Sequence, residues 1–355
     1  MKNYLLFLAA IALAVSCSGD NLTLEVPEEG ESVLVDLSLE PSIPLTKSEG
    51  NNGEKMVNNV TILAFDSGGA RLVYEKFKST SIQNLYLPGK KNIRIYAIVN
   101  SPYKFENILD YSSFKTALSQ FRYNTMRNFE MVGFVDTTLV SDCSLSIPVN
   151  RLASKLHIES IRINRNVGSP ATKSIPTVEY RTLKAVYIMN VASTYPYSLE
   201  RSTTTRFISM DESNPMIYHP MESSYTDSFE DFEDGRHRYY TYDEAMDFYL
   251  YPNTSESSVT RLVLYFEGTT LTAAEGGGYY VESSTDYYYI KLPELRPNTM
   301  YSISQLTIEN PEYDTSPSSS DRQLDLRAEY SIDVMSASDD KVMESISKKE
   351  VAYAF

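Results

Sequence analysis

Apolar and polar residues alternate with a period of two over much of this chain. Leu324, Leu326, Ala328, Tyr330, Ile332 and Val334 are separated by Asp325, Arg327, Glu329, Ser331 and Asp333, which predicts a strand with one face in a core and one in solvent. Val33, Val35, Leu37 and Leu39 form a second such series, and Leu145, Ile147 and Val149 a third. The runs VTILAF (60–65), IRIYAIVN (93–100), LKAVYIMNV (183–191) and RLVLYF (261–266) are apolar on both faces, as expected of central strands covered from both sides. In LHIESIRI the inward series slips from Leu156 and Ile158 to Ile161 and Ile163, predicting a bulge or a strand that changes sheets. Helical spacing is confined to Phe114, Leu118 and Phe121, a short helix over 114–122 capped by Ser112 or Ser113. The pattern predicts an all-β chain of antiparallel β-sandwiches. Gly168, Pro170 and Pro176 place a linker at 166–176, between an N-terminal domain at 17–165 and a C-terminal domain at 177–355. Residues 222–238 and 310–322 read as long exposed loops.

The first twenty residues change the picture. Lys2 is followed by an apolar run from Tyr4 to Val15, too short to span a bilayer, in the manner of an export signal. Ala14 and Ser16 bracket Val15 just before Cys17, resembling the lipobox of bacterial lipoproteins. Residues 1–16 are therefore expected to be a signal peptide and Cys17 the lipidated residue, tethering the chain to a membrane. The alternative is an ordinary secretory signal cut nearby.

Composition narrows the function classes. Against 32 Lys and Arg stand 47 Asp and Glu, a formal net charge of −15, with no basic block to meet a nucleic acid backbone. Beyond Cys17 the one cysteine is Cys143, so no intramolecular disulfide or cysteine metal site is expected in the mature chain. His157, His219 and His237 fall in no catalytic or metal-ligand motif, and no enzyme activity, cofactor or metal is expected. The acidic run Asp227, Glu230, Asp231, Glu233 and Asp234 fails the spacing of a calcium loop, because Phe232 stands where a ligand should be. Tyr is abundant at 28 copies, with no Trp. The clusters Tyr239, Tyr240 and Tyr242, Tyr279 and Tyr280, and Tyr287 to Tyr289 read either as cross-strand packing or as a glycan-binding surface.

Several segments, in order, resemble the fimbrillin family of Bacteroidetes, the subunits of type V pili. NNVTILAFDSGGARLVYEKF (58–77), RIYAIVNSP (94–102) and RLASKLHIESIRI (151–163) look like strands of a first domain. FYLYPN (248–253), RLVLYFEG (261–268) and YYIKLPELRPNTMYSISQLTIENP (288–311) look like those of a second. The resemblance implies two tandem transthyretin-like sandwiches, a lipoprotein precursor carried to the cell outer membrane, and a surface-exposed subunit that polymerises with other fimbrial subunits, with a host or bacterial surface receptor. It also implies that an N-terminal strand is cut away by a trypsin-like protease and replaced by a strand from a neighbour's C-terminal region. Val33, Val35, Leu37 and Leu39 would be the displaced strand, and Lys47-Ser48, in the polar connector that follows, the scissile bond. Many family members carry Arg there, and Lys47 reads equally as an ordinary loop lysine. The donor would be Leu324, Leu326, Tyr330, Ile332 and Val334, or Val351, Tyr353 and Phe355; both series could instead complete the second domain's own sheet. The competing class is a glycan-binding surface lipoprotein.

Overall fold

A computed structural model describes residues 32–42, 52–166, 178–200, 206–208, 210–222, 225–232, 235–273, 278–309, 328–335 and 343–348. Cys17, Lys47, Ser48, Leu324, Leu326, Val351, Tyr353 and Phe355 lie outside them, as do the signal segment and residues 167–176 of the expected linker.

The first unit is built from β1 (Ser32–Ser42), β2 (Val60–Asp66), β3 (Arg71–Phe77), β4 (Ser81–Pro88), β5 (Asn92–Val99), β6 (Leu118–Gln120), β7 (Met131–Thr138) and β8 (Cys143–Arg151). Seven of these form one sheet in the order β3-β2-β5-β7-β8-β1-β4. Its pairings are antiparallel except that of β1 with β8. The outermost strands, β3 and β4, are joined by the short link 78–80, so the sheet curls into a nearly closed barrel. Inward residues of its strands make one core, with Val35, Ile62, Leu87, Ile95, Met131 and Ile147 among them.

The barrel flattens into two layers at the β7/β8 seam. β7 pairs with β5 along its whole length, and β8 with β1 from Cys143 to Asn150. β7 and β8 meet only at Met131–Arg151 and Val132–Asn150. Pro148 lacks the N–H that a longer ladder would need. The backbones instead press together at Gly133, where a Cβ would stand 2.1 Å from the Pro148 carbonyl oxygen. Gly133→Ala should therefore push the layers apart at a cost of about 1–3 kcal/mol, read as a lower urea midpoint with an unchanged slope.

Strand pairing crosses the expected linker. Sheet membership changes at Leu152 and Ala153, because β9 (Ser154–Ile158) and β10 (Ile161–Asn166) pair with Met246–Leu250 and Gly235–Tyr242. The phase slip between Ile158 and Ile161 is this step from one partner to another. The main path of the large sheet runs Thr226–Phe232, Gly235–Tyr242, β10, Leu306–Glu309, Ala328–Met335, Met300–Ile303, β9, Met246–Leu250, with Met343–Lys348 also on Ala328–Met335. Facing it is a four-stranded sheet of Tyr218–Pro220, β11 (Val178–Met189), Arg261–Ala273 and Tyr279–Lys291. Ile163, Phe248, Val186 and Leu264 share one core, which continues onto the outer face of β2 and β5 through Leu63, Phe65, Tyr96 and Ile98.

Two local expectations are corrected. Helix α1 is Tyr111–Lys115, with Asp110 as its cap accepting from the Ser113 N–H at 2.7 Å; it stops short because 118–120 is drawn into β6 by pairing with Thr194–Pro196. Residues 222–238 are no mere loop, since Thr226–Phe232 and Gly235–Tyr242 form a ladder, across which the Asp227 carboxylate makes a diagonal ion pair with Arg238 at 2.5 Å.

Candidate functional site

β1 alternates in burial as its sequence does. Val33, Val35, Leu37 and Leu39 are at most 4% exposed, whereas Ser32, Asp36, Ser38 and Glu40 face solvent. Fully burying four such side chains is worth about 6–12 kcal/mol before ordering costs. β1 is the middle strand of the three-stranded layer, parallel to β8 and antiparallel to β4. Its removal would leave two unpaired edges beside an apolar slot.

The register of that slot is fixed at both ends and in the middle. The Leu34 N–H donates to Asp142 Oδ1 at 2.7 Å, and the Leu39 N–H to the Thr80 carbonyl at 2.8 Å. Between Val35 and Leu37 the pairing with β4 shifts from Leu85 to Ile82. There Asn84, at φ 57°, donates its N–H to Asp36 Oδ1 at 2.9 Å. A bulge with a left-handed Asn pins register, since a one-residue slip would turn the apolar set outward. Cys143 stands opposite Val35 at the start of β8.

The chain after β1 is fastened independently. Residues 52–55 form a 3-10 turn from which Glu54 enters the seam between the units. Glu54 meets Arg151 at 2.7 Å and Lys155 at 3.2 Å, and accepts from the Tyr249 hydroxyl. Lys155 continues to Asp247 at 2.9 Å, and Asp247 to His157 at 2.7 Å. Among the described residues Arg151 Nε has no hydrogen-bond partner, and the rings of Phe129 and Tyr249 lie 5.4 and 5.9 Å from its Cζ. Burial pushes the Glu54 carboxyl up, but the Tyr249 hydrogen bond and the Lys155 and Arg151 charges outweigh it and hold the pKa below 4.5. Asn100 adds a second clamp, accepting from the Asn58 N–H and donating to the Met56 and Phe129 carbonyls, at 2.7, 2.7 and 3.0 Å. These residues were missed in the sequence, where Arg151 and Lys155 gave their one signal as cations inside a strand-forming apolar stretch.

A second buried acid, Glu130, has no cation beside it among the described residues. Glu130 accepts from the hydroxyls of Ser119, Tyr197 at 2.6 Å and Tyr251 at 3.2 Å. Burial dominates, so its carboxyl is held above the usual 4.5 despite those bonds. A raised folded pKa stabilises below the unfolded value and loses that stability as pH rises through the folded one. Glu130→Gln should therefore flatten the decline in stability above about pH 4.5, followed as urea midpoints from pH 4 to 8.

The other candidate residues are dispersed. His157 and His219 pair with Asp247 and Glu244, and His237 contacts Asn164. Among the described residues no group of three or more His, Cys, Asp or Glu could hold a metal ion. Tyr239, Tyr240, Tyr242, Tyr288 and Tyr289 are buried, whereas Tyr279 and Tyr280 are exposed. Tyr287, partly buried, stacks across the strands on Tyr265 at 5.4 Å and along its own strand on Tyr289 at 6.3 Å. The strand Ala328–Met335 is paired with 300–302 and 307–308 on one side and with Met343–Lys348 on the other.

Structural comparison places this architecture. A candidate cell adhesion protein from Bacteroides eggerthii superposes with a TM-score of 0.59 at 13% identity, covering 89% of this chain and 98% of its own. A second candidate cell adhesion protein, from Parabacteroides distasonis, gives 0.54 at 17% identity, with 85% and 96% covered. The chain shares their fold. At these identities the likeness extends to the arrangement of strands along nearly the whole of both relatives, adhesion being the role their descriptions carry. No family model and no curated protein matches the sequence.

Proposed function

We propose that the chain is a non-enzymatic subunit of a cell-surface fimbria, exported as a lipoprotein through Cys17 and joined to its neighbours by strand exchange. The four-plus-three layering of the first unit supports its reading as a transthyretin-like sandwich, and the second unit is read as its tandem partner. The observation that carries the proposal is β1: a strand central to its layer and apolar on its inward face, while the chain from Glu54 to Asn58 is held to the body by separate contacts to Arg151, Lys155 and Asn100. Cleavage at Lys47-Ser48 would free β1 while residues 54–59 stayed fixed to the body. A neighbour's strand entering the slot would recover the ladder bonds to β4 and β8 and the four apolar pockets. If the donor includes Ala328–Met335, that strand must first leave the partners it has within its own sheet. The role in adhesion follows from the surface position and from the kind of protein that shares the fold.

N-terminal sequencing and intact mass of protein sheared from the cell surface test this reading. A chain beginning at Ser48 in SDS-resistant multimers is expected. Protein that stays monomeric, with β1 attached and beginning at acylated Cys17, would overturn polymerisation by strand exchange.

A further inference from the structure

On the outer face of the four-stranded layer of the first unit, the end of β2, the turn after it, the start of β5 and the end of β7 enclose a cavity of about 590 Å³. That volume lies within the range of small-molecule sites. Alternation in the strands explains its lining. Ile93, Ile95 and Val135 point into or pack against the barrel core, which leaves Asn92, Arg94 and Asp136 on the outside. With Asp66 and Thr138 they give the cavity a wall of carboxylate, amide, hydroxyl and guanidinium groups, flanked by the rings of Phe65 and Tyr111.

The central pair is held in place before any ligand arrives. Arg94 Nε and Nη2 meet the two oxygens of Asp136 at 2.6 and 2.7 Å, and Nη1 donates to the Tyr111 hydroxyl at 3.1 Å. The guanidinium carbon lies 5.5 Å from the Tyr111 ring centre and 5.3 Å from that of Phe134, itself 41% exposed. Asp66 Oδ1 accepts from the Ala70 N–H at 2.9 Å, and Asn92 Oδ1 accepts from the Thr138 hydroxyl. These bonds orient the groups without exhausting them, since a carboxylate accepts about four hydrogen bonds and an amide nitrogen donates about two.

We infer that this cavity binds a neutral, hydroxyl-rich ligand, a segment of uncharged oligosaccharide. Fixed carboxylate and amide groups suit adjacent hydroxyls, whose donors and acceptors they meet in pairs, and the Tyr111 ring in the lining can pack against the C–H face of a sugar. Two carboxylates against one guanidinium disfavour an anionic ligand, and the polar walls disfavour a lipid. The cavity lies on the opposite layer from β1, so exchange of that strand leaves it open. This site differs from the tyrosine clusters at 279–280 and 287–289, and its assignment holds whether or not the chain polymerises.

The test uses the full mature chain and four probes: maltohexaose, mannohexaose and cellohexaose as neutral ligands, and oligogalacturonate as an acidic control, read by calorimetry and by saturation-transfer NMR. Binding of at least one neutral hexaose is expected, with little response to salt. Asn92→Ala and Asp136→Ala should each weaken it tenfold or more. Thr138→Trp should abolish it by filling the space while leaving the Arg94–Asp136 pair intact, and thermal midpoints should confirm that all three variants fold. No binding of any neutral hexaose, equal or tighter binding of oligogalacturonate, or binding indifferent to the three substitutions would each overturn the assignment. Polymer formation, assayed in parallel by SDS-resistant multimers, reports on strand exchange independently.

Discussion

Replacing Val35 and Leu37 together by Asp should leave the precursor unable to fold. Both side chains are fully enclosed in the barrel core, and the slot offers no described cation to an inward carboxylate at either position. Each substitution removes about 1.5–3 kcal/mol of apolar burial and adds the cost of an unpaired buried acid, which is larger still. Together they would exceed much of the roughly 5–15 kcal/mol that holds a domain folded. The expected result is insoluble or protease-sensitive protein without a cooperative melting transition. Ser38→Asp is the control: its neighbour Leu37 is buried but Ser38 itself faces solvent, and the change should stay within about 0.5 kcal/mol. A double variant with an unchanged thermal midpoint would show that β1 contributes nothing to the barrel, and the strand-exchange reading would fall with it.

The second large effect is expected at Glu54. Glu54→Ala leaves Arg151 and Lys155, both almost fully buried, without the carboxylate that each contacts. Breaking a buried pair from one side costs about 3–5 kcal/mol, because the remaining charge is stranded in a poorly solvated place. Lys155 keeps Asp247 at 2.9 Å, so the larger share of the loss should come through Arg151. The pH dependence gives a signature that simple loss of packing would not. The folded pKa of Glu54 lies below 4.5, so its contribution is present above the unfolded value and disappears as pH falls through the folded one. Wild type should therefore lose stability on acidification more steeply than Glu54→Ala, and the two urea midpoints should converge toward the acid end. Parallel curves across that range would mean that Glu54 does not carry its charge into the seam. The opposite slope expected from Glu130, whose carboxyl is raised, makes the two buried acids separable in one pH series.

The placement of Glu54 also bears on processing. It lies shortly after the candidate bond Lys47-Ser48, and its contacts reach the last residue of β8, the first strand of the second unit and Tyr249. The energy that retains residues 54–59 is thus distinct from the energy that holds β1, which depends on β4, β8 and the barrel core. A chain cut between them can lose the one without the other.

Much of the fold was readable from alternation. The inward set Val33, Val35, Leu37 and Leu39 is buried as its spacing required, and the doubly apolar runs at 60–65 and 93–100 became β2 and β5, covered by the barrel core on one face and by the second core on the other. Such features are local: each strand must turn its apolar face away from water wherever it finds a partner. The composition of the 166–176 segment, by contrast, said nothing of which strands belong together. β9 and β10 lie before it in the chain yet pair with strands some eighty residues later, and that choice depends on surfaces brought together by the whole fold. The same is true of 226–242, where acidic residues and aromatics suggested a loop but Thr226–Phe232 and Gly235–Tyr242 made a ladder, with Asp227 opposite Tyr240 and in a diagonal ion pair with Arg238.

By itself the sequence determined an all-β chain, the in-and-out phase of its strands and the apolar set of β1, because a period of two converts directly into two faces. Only the tertiary structure decided that β1 is central to a three-stranded layer, that Glu54, Arg151 and Lys155 meet at the seam, and that Asn92, Arg94 and Asp136 share one cavity. Partners distant in the chain leave no periodic mark on the sequence: their encounter is fixed by strand order and by the closure of the barrel, which the energy of the whole core selects.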